Sequence, residues 1–179
     1  MTRRPVTRKG AAVRASLRLL SVAALAAWLA AAPALAQEGP GRKMPDRGQT
    51  HVPQGTRIPY EEYPPTSGSH WPVWANWGAY SEPVPEEVFV HNLEHGGVVI
   101  LYNCSRPCPD LMRQLQEVYT ALPPSKYGHV KVVISPNARR KTRLALLAWT
   151  RIDELDRFDR ERIIRFVRAW QDKGPEDVP

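Results

Sequence analysis

The sequence predicts an α+β domain: a small mixed sheet with two helices in the order ββαββα, entered through an irregular Pro- and Trp-rich segment. Three observations carry this. Apolar runs of strand length recur at 97–103 and 130–134. Two apolar stripes at helical spacing follow Pro109 and Asp159. Between 58 and 85, prolines and tryptophans are too dense for either regular element. The part from residue 97 onward, βαββα, also fits a thioredoxin-like arrangement.

The first residues stand apart from the fold. Arg3, Arg4, Arg8, Lys9, Arg14 and Arg18 make a basic lead, followed by a run of mostly Ala and Leu from Leu19 to Ala32. Ala34 and Ala36 then supply the small residues of an A-x-A cleavage site. Residues 1–36 are expected to be a signal peptide, and the protein periplasmic or extracellular. Membrane attachment is expected only if that segment stays uncleaved. The full chain carries a net charge of +7, but six of its 25 basic residues and none of its 18 acidic ones lie in 1–36. The remainder is close to neutral, so the basic balance reports the leader and nucleic acid is not expected as a partner.

Residues 37–56, rich in Gly, Pro and charge, are expected to be a flexible linker, and 57–176 a single domain. Trp71, Trp74, Trp77 and Tyr80 recur every three residues, which puts them on one face of an extended segment. They read as a strap over a hydrophobic sheet, the alternative being an aromatic ligand platform. Val88-Phe89-Val90 predicts a strand at 87–91, and Gly96-Gly97 a tight turn into the strand at 97–103. Leu111, Met112, Leu115, Val118, Tyr119 and Leu122 predict a helix opened by Pro109 and stopped by Pro123-Pro124. A strand at 130–134 follows, then one over 143–152 bounded by a turn at Asp153-Glu154. Asp159 caps the last helix, whose apolar face is Ile163, Phe166, Val167 and Trp170.

Chemistry concentrates at His91-Asn92-Leu93-Glu94-His95, since the whole chain holds only five histidines. Neutral imidazole is the commonest metal ligand. The string matches the H-x-x-E-H of inverted zinc peptidases, which carry it on a helix. With strands expected on both sides and Gly96-Gly97 following, a hairpin turn is predicted and peptidase chemistry set aside. A metal site on that hairpin needs a third ligand. His70 is preferred because Thr66-Ser67-Gly68-Ser69 can bring it in; His51, Cys104 and Cys108 are the other suppliers. The predicted metal set is His70, His91, Glu94 and His95, with copper or zinc as the ion. The alternative is a polar network in which the same groups hydrogen-bond backbone around the turn.

Cys104 and Cys108 are the only cysteines, at the junction of a strand and a helix. In an exported protein such a pair predicts a disulfide. Cys108 near a helix N-terminus also leaves open thiol–disulfide redox chemistry, and soft thiolates leave open Cu(I). No nucleophile elbow, phosphate loop or dinucleotide fingerprint is present, so no catalytic residue and no organic cofactor is assigned. Metal binding or trafficking is expected rather than turnover. The alternatives are a non-catalytic interaction domain with a protein partner in the cell envelope, or a redox protein using Cys104 and Cys108.

Two resemblances bear on this. Tyr102-Asn-Cys104-Ser-Arg-Pro-Cys108-Pro109 is similar to the C-x-x-x-C-P of thioredoxin-like copper chaperones for cytochrome oxidase assembly, although His129 lies too close downstream for their pattern. More specifically, the chain resembles the domain of unknown function 3105 family of bacterial exported or membrane-anchored proteins. The likeness rests on Tyr63-Pro-Pro-Thr-Ser-Gly-Ser-His70-Trp71, Pro83-Val-Pro-Glu86, Val90-His-Asn-Leu-Glu-His-Gly-Gly-Val98 and Lys173-Gly-Pro-Glu176. It implies a single domain and brings no assigned activity.

Overall fold

In the computed structural model, which describes residues 1, 2 and 39–179, the fold is α+β with three helices and one six-stranded mixed sheet. The elements are β1 (Arg42–Lys43), β2 (Gly78–Ala79), α1 (Glu86–Glu94), β3 (Val98–Tyr102), α2 (Pro109–Ala121), β4 (Val132–Pro136), β5 (Leu144–Ala148), β6 (Arg151–Leu155) and α3 (Arg160–Trp170). The strand order is β1-β6-β5-β3-β4-β2. Strand β3 runs parallel to β4, reached through α2, and antiparallel to β5. A thioredoxin-like arrangement is not confirmed. The leader expected at 1–36 lies, after Thr2, outside the described residues.

Strand β3 is apolar at every position because the sheet is covered on both faces. Val98, Ile100 and Tyr102 pack with Leu115, Val118, Ile163, Phe166 and Val167 of α2 and α3. Val99 and Leu101 pack on the other face with Phe89, Val90 and Leu93 of α1. Helices therefore lie on both sides of the sheet. Asp159 caps α3 as expected, its carboxylate accepting from the Arg162 N–H at 3.0 Å.

Residues 86–94 are helix α1, not the predicted strand and turn. Glu86 and Glu87 sit in its first turn, where acidic side chains complement the helix dipole. From Phe89 to Glu94 every residue is buried, so the helix shows no polar outer face to reveal its period. Gly96 and Gly97 terminate it: the Gly97 N–H donates to the Asn92 carbonyl and the Gly96 N–H to that of Leu93. With Gly96 at φ 74°, this is a Schellman cap, and the glycine pair stops a helix rather than turning a hairpin.

The stretch 143–152 is two strands rather than one. Strands β5 and β6 form an antiparallel hairpin whose turn is Trp149-Thr150, with Thr150 at φ 55°, and Asp153 and Glu154 lie within β6. The segment expected as a linker is packed on the domain from Gly39 onward. Strand β1 pairs with β6, Met44 is buried, and Val52 and Thr50 exchange backbone hydrogen bonds with His70. The aromatic strap divides. Trp77 and Tyr80 pack on the α1-side core, whereas Trp74 is 50% exposed. Asn92 clamps the strap by accepting from the Ala75 N–H at 2.9 Å and donating to its carbonyl at 2.8 Å.

Candidate metal centre

The i, i+3, i+4 spacing of His91, Glu94 and His95 on a helix brings all three side chains to one face. The strap and the N-terminal segment supply the rest. His70, fully buried, directs its Nε2 to Glu94 Oε2 at 2.8 Å. His51, held beside His70 by backbone pairing, places its Nε2 3.2 Å from the same oxygen. His91 Nε2 lies 3.9 Å from it. Donor atoms of His51, His70, His91 and Glu94 all fall within 4.8 Å of one another.

Three of the four predicted ligands thus converge: His70, His91 and Glu94. His95 lies beside them, its Nε2 2.9 Å from that of His91, but turns toward Glu176 Oε2 at 3.3 Å. The fourth member of the first group is His51, which stood among the possible suppliers but not in the predicted set. Its segment reads as linker from composition, and only the backbone bridge to His70 brings it in. Glu176 was missed too; its sole signal was the Lys173-Gly-Pro-Glu176 string.

Two backbone carbonyls fix the chemistry of the imidazoles. His70 Nδ1 lies 2.8 Å from the Gly68 carbonyl and His91 Nδ1 2.8 Å from that of Trp71. A carbonyl only accepts, so both Nδ1 atoms carry the proton. In the neutral ring, each Nε2 then presents its lone pair to the cluster. For His70 that lone pair meets a carboxylate oxygen at 2.8 Å, an arrangement that requires a proton or a cation between them.

Burial, set partly against the Trp71 carbonyl bond, holds the His91 pKa below the usual histidine value. Burial, then the neighbouring His91, pushes that of His95 down to about 4. Both are therefore neutral at pH 7, the form that binds metal. The Trp74 ring lies 5.2 Å from the His91 ring and 4.9 Å from that of His95, covering the outer side of the pair.

On a peptidase reading, H-x-x-E-H has the helical setting it requires. What stands against it is Glu94, whose Oε2 is engaged by His70 and His51 rather than left to take a proton from water.

Cys104 and Cys108 form a disulfide ahead of α2. They border a groove of about 770 Å³ with Tyr80, Tyr102 and Met112, and they pack on the α2/α3-side core. The histidine cluster belongs to the other side of the sheet. Bonded to each other, the two sulfurs offer no thiolate to Cu(I).

The chain belongs to the family described as Protein of unknown function (DUF3105), whose profile matches residues 51–178. No curated protein and no solved structure matches the chain.

Proposed function

We propose that this member of the DUF3105 family binds a transition-metal ion, copper or zinc, through His51, His70, His91 and Glu94. The observation that carries the reading is the pair of Nδ1–H bonds to the Gly68 and Trp71 carbonyls. Histidine ligands commonly donate their second N–H to such a partner, which orients the ring and fixes the tautomer. Three imidazoles and a carboxylate form a donor set of intermediate softness, suited to zinc or copper(II). The basic leader, the A-x-A site and the disulfide support placing this chemistry outside the cytoplasm. Glu94, itself a ligand in this set, is not left as a general base, which supports binding or delivery of the ion rather than turnover.

The test is metal content. Full chain stripped with chelator and then dialysed against zinc or copper should retain the ion stoichiometrically and melt at a higher temperature. His70→Ala/His91→Ala should retain none. If the unmodified chain takes up neither ion, the reading fails.

A second reading has its own support, the normal hydrogen-bond length between His70 and Glu94. A protonated His70 paired with that carboxylate would brace α1 against the strap with no metal. In that case His70→Ala lowers thermal stability by the same amount with and without added zinc.

A further inference from the structure

We infer that the centre holds two cations rather than one, bridged by the Glu94 carboxylate, the second ion taking His95 and Glu176. The inference rests on the metal reading above and extends it. Among the described residues two donor groups are present: His51, His70, His91 and Glu94 in one, Glu94, His95 and Glu176 in the other, each within 4.8 Å internally. Glu94 is common to both. Ligands at about 2.0–2.2 Å from one zinc lie no more than about 4.4 Å apart. The combined set exceeds even the wider span, so one ion cannot gather all six side chains.

The second group is built, not incidental. Residues 172–176 are laced onto the end of α1: the Asp172 N–H donates to the Gly96 carbonyl at 2.9 Å and the Glu176 N–H to that of Glu94 at 3.0 Å. This approach needs glycine on both sides. A Cβ on Gly174 would collide with the Glu94 carbonyl, and one on Gly96 would lie 3.0 Å from backbone atoms of residues 172–174. Buried Lys131 holds the same layer, donating to the His95 carbonyl at 2.8 Å and to that of Val178. The lacing delivers the Glu176 carboxylate to His95.

His95 itself points to a ligand. It is 6% exposed, and its Nδ1 has no hydrogen-bond partner among the described residues. Its Nε2 faces both the His91 Nε2 and a carboxylate. Since His91 carries its proton on Nδ1, the His91 Nε2 lone pair and the Glu176 carboxylate are both acceptors, so a proton or a cation must lie at His95 Nε2, as between His70 and Glu94. Carboxylate-bridged pairs of ions about 3.5–4 Å apart are a familiar arrangement.

Zinc counted by elemental analysis decides the matter. The full chain should hold two equivalents and Glu176→Gln only one, with the unfolding curve of the metal-free variant unchanged. One equivalent in the unmodified chain overturns the inference and leaves the single-ion reading standing. No zinc at all overturns both. Two equivalents in Glu176→Gln as well would place the second ion elsewhere and also overturn it. Cobalt substitution gives an independent check that needs no variant: a shared carboxylate predicts a magnetically coupled pair, and an uncoupled spectrum sinks the bridge.

Discussion

His91 is held at Nδ1 by the Trp71 carbonyl and opens Nε2 to the cluster, so its role is separable from that of the fold. His91→Ala should weaken zinc binding by at least about 100-fold, the upper end of what losing mere outer-shell partners costs. Isothermal titration of the stripped protein measures this, and an unchanged affinity would remove His91 from the ligand set. His95 gives a pH signature. Its folded pKa of about 4 lies below the ordinary histidine value of 6.5. Between those values the unfolded chain takes a proton that the folded one refuses, so acid draws the equilibrium toward unfolding. In metal-free protein this contribution is fully present above pH 6.5 and is lost as pH falls toward 4. Denaturant midpoints across that range should drop less steeply in His95→Gln; equal slopes would refute the assignment.

Helix α1 is short, and its value lies in how it ends. Gly96 supplies the left-handed residue of the Schellman cap and leaves room for residues 172–174. Gly96→Ala should cost about 1–2 kcal/mol from backbone conformation alone, with more from the crowded tail. Chemical denaturation measures the loss, and a neutral result would mean the tail moves freely. At α3 the effect is simpler: Asp159→Ala removes the acceptor of the Arg162 N–H and should cost about 1 kcal/mol. The period-of-three aromatics are likewise a matter of the element. Only Trp77 and Tyr80 settle on the core, because the Asn92 clamp at Ala75 leaves Trp74 beside the imidazoles.

Across the whole molecule, the sheet divides two chemistries, with the histidine cluster on the α1 side and the disulfide against α2 and α3. Replacing both Cys104 and Cys108 by Ala should lower stability by about 2 kcal/mol, the loop-closure value for so short a bridge, and leave zinc stoichiometry unchanged. A loss of zinc would show that the two sides are coupled. Composition and period alone yield the α+β class, β3, β4, α2 and α3, and they single out His70, His91, Glu94 and His95 as candidates. Those elements bury one kind of residue at one period, and histidine is rare enough here to stand out. The tertiary structure alone decided that 86–94 is a helix. Its polar residues His91, Asn92 and Glu94 are buried instead of facing solvent, and Val88-Phe89-Val90 has the local preference of a strand. It alone decided the hairpin at Thr150, since β5, apolar on both faces, runs into β6 with no Gly or Pro between them. It alone brought in His51 and Glu176 as well. Each lies in a stretch whose composition reads as linker or tail, and what fixes it there is backbone hydrogen bonding to segments far away in the chain. Such pairing leaves no pattern in the local sequence.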